Sequence, residues 1–115
     1  MFLKLDQMKQ RHQELEQLLG DATVINDQRS YQKFAKEFSN LTPAIELYQA
    51  YQENQRQLHE LEDILKTGDP QDEFVQLASA EAEDLRAAAE DMKARLHDLV
   101  YPKIVEADRD LIIEI

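Results

Sequence analysis

Apolar residues recur three and four positions apart along most of this chain, the spacing that lays one stripe down a helix. Over about residues 2–19, Leu5, Met8, His12, Leu15 and Leu19 alternate in this way, as in a coiled-coil seam. The segment from Gly20 to Ile25 then reverses the chain, and Asn26 or Asp27 is positioned to cap the next helix. A second helical stretch over about 27–66 carries Tyr31, Phe34, Phe38, Leu41, Ile45 and Tyr48. There the stripe slips. Tyr51, Leu58, Leu61 and Leu65 define a displaced line, with Gln52 and Gln55 in the old register, a pattern that resembles a stutter. A third stretch opens at Asp69-Pro70, which reads as an N-cap followed by proline at the first helical position. Its apolar line is Phe74, Leu77, Ala78, Ala82, Leu85, Ala89, Met92, Leu96 and Leu99, with Ser79 a candidate bend or new cap. Tyr101-Pro102 closes it, because the residue before proline is driven out of the helical region.

The breakers agree with this division. Only two glycines occur, Gly20 and Gly68, and both fall where a helical pattern ends. Pro43 sits inside the second stretch, where it removes one hydrogen bond and crowds the carbonyl of Ser39. The chain there either kinks or breaks, with Thr42 as cap and Pro43 opening a new helix. The apolar spacing passes through unchanged, which favours a kink or a one-turn interruption. The alanine-rich run from Ala78 to Ala94 permits close approach of a neighbour. The expected fold is all-α, an elongated antiparallel three-helix coiled coil. At 1.5 Å per residue the helices span about 27, 60 and 45 Å, so the second projects beyond the first.

The end of the chain breaks the helical pattern. Residues 102–110 form a polar connector interrupted by Ile104-Val105, and Leu111-Ile112-Ile113-Glu114-Ile115 reads as a β-strand. One strand cannot satisfy its own backbone, and nothing upstream reads as a partner. The expected division is therefore a helical coiled-coil domain over 1–101, then a linker and an orphan strand over 102–115. That strand is expected to be the first of a following domain absent from this chain.

Charge narrows the partners. The net charge is −11, and it is uneven: residues 1–66 carry 8 basic and 11 acidic side chains, residues 67–115 carry 5 and 13. Such a field repels phosphate backbones, so no direct nucleic-acid binding is expected from this segment, and basic protein surfaces are favoured instead. There is no cysteine, which removes disulfides, thiol chemistry and cysteine-based metal sites. No apolar run approaches the roughly 20 residues a membrane helix needs. Asp6, Lys9 and Arg11 interrupt any signal-peptide core at the start.

Candidate chemistry is sparse. His12, His59 and His97 are the only histidines, and neither Glu-x-x-His nor His-x-x-x-His occurs. His12 falls on the first stripe, where a half-buried interface histidine is the simple reading. Carboxylate groups such as Glu60/Glu62/Asp63 and Glu81/Glu83/Asp84 lie off the stripes and read as solvated helix faces; acid–base work would need a pocket that shifts one pKa. The glycines are too far apart for a phosphate loop. Tyr31, Phe34, Phe38, Tyr48 and Tyr51 have helical spacing and read as core, with Tyr48 or Tyr51 the candidates to face a partner where the register slips. No catalytic, cofactor-binding or metal-binding residue is assigned, no cofactor is implied, and no enzyme activity is expected.

The order of these pieces resembles a known family. A seam helix is followed by Leu19-Gly20-Asp21, then by an Asp27-Gln28 start to a helix containing Phe34 and Leu41. The long helix ends Leu61-Glu62-Asp63-Ile64-Leu65, and a last helix ends Leu99-Val100-Tyr101-Pro102-Lys103 before a strand ending Ile113-Glu114-Ile115. This resembles the N-terminal domain of bacterial peptide chain release factor one, the class I factor that reads UAA and UAG. The family often has Asp-Pro after Pro-Lys, and this chain has Ile104-Val105 instead. The resemblance implies a cytoplasmic, non-catalytic interaction domain of a translation termination factor. Its implied partners are the ribosome, the ribosomal stalk-base protein and the class II release factor GTPase. The Pro-x-Thr codon-reading loop and the Gly-Gly-Gln hydrolysis loop of that family do not occur in these residues. The alternative is a free-standing coiled-coil adaptor or chaperone-like helical protein, for which an orphan strand has little use.

Overall fold

The computed structural model of the chain describes residues 1–102. Among them there are four helices and no strand: α1 (Phe2–Leu19), α2 (Ala22–Asn26), α3 (Gln28–Thr67) and α4 (Glu73–Val100). The all-α, elongated architecture agrees with the apolar spacing, and the molecule measures 63 × 45 × 19 Å. The longest dimension is that of α3, whose 40 residues span about 60 Å. The strand expected at Leu111–Ile115 lies outside the described residues.

Helix α3 is the spine, and the two long partners run antiparallel to it over successive stretches. On one side Phe2 of α1 stacks on Tyr51, Asp6 meets Tyr48, His12 meets Thr42 and Arg11 meets Glu37. On the other, Val75 of α4 lies against Gly68, Leu85 against Asn54, and Leu96 packs with Tyr48. The helices therefore share one layer, where Leu5, Tyr48, Leu96 and Val100 close a cluster with Met1, Met8, Leu47 and Tyr51 around it. The N-terminus of α1 meets the C-terminus of α4 there, an arrangement in which the two helix dipoles attract. The register slip along α3 now has a physical reason. Above Tyr48 the spine faces α1, and below it the spine faces α4, so the stripe moves because the neighbour changes.

Local chemistry sets most of the boundaries. The side chain of Asp27 accepts from the Ser30 amide and hydroxyl, and so caps α3. Asp21 does the same for α2 through the amide and hydroxyl of Thr23. This short helix occupies the segment that reads in sequence as a simple reversal. Helix α3 runs unbroken through Pro43, so the one-turn interruption does not occur and Thr42 is not a cap. The lost donor leaves the Ser39 carbonyl, on an exposed residue, to water. Thr42 instead turns its hydroxyl back to the Phe38 carbonyl at 2.8 Å.

The start of α4 differs from the sequence expectation. Asp69-Pro70 does not open the helix: Asp69 accepts the Gln71 amide in a tight turn, and Asp72 caps α4 through the Phe74 amide at 2.9 Å. Ser79 lies inside the helix and starts nothing new. The buried line is Val75, Ala78, Ala82, Ala89, Leu96 and Val100, while Phe74, Leu77 and Leu99 are exposed. Gly68 explains the choice. A Cβ built there would stand 2.5 Å from Val75 Cγ2 and 2.8 Å from the Ile64 carbonyl oxygen. Its φ of −84° is ordinary, so glycine is required here by space, not by handedness. The close approach at Gly68 brings Val75, not Phe74, onto the spine, and the alanines continue it.

Candidate partner surface

The three histidines are dispersed. His12 is half-buried between α1 and α3, with Nε2 3.0 Å from the Thr42 hydroxyl and its ring stacked 4.1 Å from Phe38. Its partners make it an interface residue, as its place on the stripe predicts. His59 is exposed, and His97 is exposed beside the Tyr101 ring. Among the described residues no group of three or more His, Cys, Asp or Glu side chains is placed to hold a metal ion. The carboxylate groups picked out by spacing are solvated: Glu60 pairs with Arg56, Glu62 with Arg86, and Glu81, Glu83 and Asp84 are exposed.

The aromatic residues mostly build the junction. Tyr48 is buried, so it does not face a partner. Burial between α1 and α4 turns it inward, and its hydroxyl donates to Asp6 Oδ1 at 2.6 Å. That bond to a carboxylate, helped by burial, pushes the phenol up to about 12. Tyr51 is half-buried under Phe2, and Phe34 and Phe38 are half-buried against α1. Tyr31 remains exposed.

Polar side chains tie α1 to the spine. Arg11 holds Glu37 with two parallel bonds of 2.7 and 2.9 Å, a bidentate pair. The guanidinium keeps the Glu37 carboxyl below the usual carboxylate range. On the far half of α3, Arg56 and Gln57 converge on Glu53 and hold its carboxyl near about 2, but all three lie on one helix and join nothing to it. Two polar contacts cross to α4 in that half: Arg86 to Glu62 at 3.4 Å on the surface, and a buried one. Asn54 Nδ2 donates to the Leu85 carbonyl at 3.0 Å, and the Asn54 amide oxygen accepts from Gln55. Sequence reasoning passed over Asn54, although a lone asparagine three residues after Tyr51 on an otherwise apolar line is the signal for such a position.

Among the described residues, the apolar surface left outside the helix seams includes two features of note. One is an open groove of about 650 Å³ between α3 and the end of α4, lined by Pro43, Leu47, Ala50, Arg95 and Leu99. The other is the start of α4, where Phe74 and Leu77 are 63% and 70% exposed. They sit three residues apart, hence on one face. Six acidic residues fall between Lys66 and Arg86, with no lysine or arginine among them. Both features are open surface, a groove and an exposed helix face. They can present shape, charge and apolar side chains to another macromolecule.

Comparison with known proteins agrees with that character. The PCRF domain family matches residues 8–115. The chain belongs to that family. The PCRF domain here is also similar, along its whole length, to curated proteins named peptide chain release factor 1. The protein from Staphylococcus epidermidis (strain RP62A) is 32% identical over 115 residues, covering all of this chain and 32% of the relative. That from Syntrophus aciditrophicus (strain SB) is 34% identical with the same coverage, and that from Staphylococcus aureus (strain Newman) 30%. The PCRF domain chain thus spans about a third of the length of these relatives. No solved structure matches it. Among the described residues no helix is long and apolar enough to cross a membrane.

Proposed function

We propose that this PCRF domain is the non-catalytic helical arm of a translation termination factor that acts at stop codons on the cytoplasmic ribosome. The observation that carries this reading is the match of the family over residues 8–115 together with relatives named peptide chain release factor 1 along the full chain. The physical character fits: a flat, acidic arm built around one long helix. In this reading residues 102–115 lead into the domain that carries the codon-reading and hydrolytic loops. The arm touches protein, and the partners proposed are the ribosomal stalk-base protein and the class II release factor GTPase. An acidic arm of this kind suits basic ribosomal proteins better than rRNA.

A chimera tests the reading. Residues 1–115 replace the aligned N-terminal segment of the Staphylococcus aureus factor, and peptide release is measured on ribosomes stopped at UAA and UAG. Release within a few-fold of the parent supports the proposal. Loss of release by a folded chimera, or stop-dependent release by the 115-residue chain alone, contradicts it.

A further inference from the structure

We propose that the exposed pair Phe74 and Leu77, at the hairpin where α3 turns into α4, is a docking knob for a basic protein surface containing an apolar pocket. Both side chains project from the first two turns of α4, at the far end of the molecule from α1. They are excluded from the helix seam because the close approach of Gly68 to Val75 seats the valine there instead. At 63% and 70% exposure these large apolar side chains bury little of their area within the fold. Isolated exposed apolar residues are common and need no explanation. This pair differs because the surrounding charge is of one sign. Glu73, Glu81 and Asp84 share its side of α4 and Asp69 and Asp72 lie in the turn before it, an acidic ring in a stretch of sequence with no lysine or arginine between Lys66 and Arg86.

That ring selects the occupant. A second copy of this chain would bring the same acidic ring against it, and the whole chain carries −11. RNA and anionic membranes are repelled for the same reason. The remaining fit is a protein that offers an apolar pocket for Phe74 and Leu77 with lysines or arginines at its rim. In such an interface the apolar anchors supply most of the affinity, and the charged rim sets encounter rate and orientation. Glu81 lies one helical turn beyond Leu77 and on its face, so it is the rim carboxylate placed to meet a cation.

The inference rests on the reading of this chain as a release-factor arm that touches the stalk-base protein, and that purified ribosomal protein is the probe. Binding of the 115-residue chain is measured by fluorescence anisotropy at low and high salt. Four proteins are compared: the unaltered chain, Phe74→Ser with Leu77→Ser, Glu81→Lys, and Leu3→Ser. Leu3 is equally exposed but lies at the start of α1, beside the middle of the spine and away from the hairpin. The double variant should bind about tenfold or more weakly, Glu81→Lys should bind more weakly with a flatter salt dependence, and Leu3→Ser should match the unaltered chain. Circular dichroism checks that each is folded, and Glu81→Lys alone decides if the double variant is not. Binding that survives the tip substitutions within twofold overturns the knob while leaving the functional reading intact. No binding by the unaltered chain overturns the partner reading and the knob with it.

Discussion

The two halves of the spine are held by different chemistry. Where α3 meets α1, side chains with polar ends make much of the contact: Arg11 grips Glu37, His12 bonds Thr42 and stacks on Phe38, and Tyr48 bonds Asp6. Where α3 meets α4, the contact is made of small residues. Gly68, Ala78, Ala82 and Ala89 let the backbones close up, and the buried polar bond is Asn54 to a main-chain carbonyl. One long helix thus carries a contact specified by side-chain pairing and a contact specified by closeness. The first should respond to pH and salt. The second should respond to volume. The difference also leaves the two ends unlike, because close packing at Gly68 leaves Phe74 and Leu77 outside at the α4 end.

The largest effects should come from the fully buried leucines. Leu15 lies in the α1 half and Leu96 in the shared layer. Leu15→Ala and Leu96→Ala should each cost about 2–5 kcal/mol in urea denaturation. Losses below about 0.5 kcal/mol at both sites would show that the packing faces are misplaced. Volume comes next. Ala82→Leu and Gly68→Ala both force atoms into the α3–α4 contact, and each should cost about 1–3 kcal/mol. Gly20 is the control, since a Cβ there meets nothing nearer than 3.6 Å. Gly20→Ala should leave stability unchanged or raise it by about 0.4–1 kcal/mol. Equal effects at the two glycines would remove the contrast between a crowded end and an open one.

Smaller effects separate the polar half. Tyr48→Phe should cost about 0.5–1.5 kcal/mol by loss of the bond to Asp6. The folded phenol is raised to about 12 from 10, so its contribution is complete below pH 10 and fades as pH rises through about 12. A thermal melt series from pH 9 to pH 12 should show a decline that Tyr48→Phe lacks. The smallest effect is at Arg11–Glu37. The folded carboxyl lies below its ordinary value, so the stability it lends is present above that ordinary value and is lost as pH falls through the depressed one. Both side chains are 38% exposed, so the effect should be modest and reduced by salt. Glu37→Gln should blunt the acid loss. An unchanged acid limb would assign it to other carboxylates, with Asp21 and Asp27 the next to examine because their caps also hold them ionised.

Much of the fold was legible in the sequence because amphipathic spacing and caps are local. The ranges expected from spacing, about 2–19 and 27–66, correspond to Phe2–Leu19 and Gln28–Thr67. Asp27 was readable as a cap, and Tyr101-Pro102 as a stop. The beginning of α4 was not, for two reasons. Asp69 and Asp72 can both cap, and only turn geometry chooses between them. Two apolar lines also coexist there, one through Phe74 and Leu77 and one through Val75, Ala78 and Ala82. Hydrophobicity favours the larger residues, whereas the structure seats the smaller ones, because the distance between α3 and α4 is set at Gly68. The slip near Gln52 was visible, but its cause is a change of neighbour, which requires knowing where α1 and α4 meet. The candidate surface was illegible for the same reason: Phe74 and Leu77 become available only once Val75 has taken the seam.

The central claim is that one spine carries a side-chain-pinned half and a close-packed half. Residue-resolved hydrogen exchange of the 115-residue chain tests it most directly, compared at neutral pH in low salt and in high salt at about pH 2, below the ordinary carboxylate range. Amides of α1 should lose protection under the second condition, while those of α4 from Val75 to Ala89 keep theirs. Uniform loss along α1 and α4, or loss confined to α4, would contradict the division.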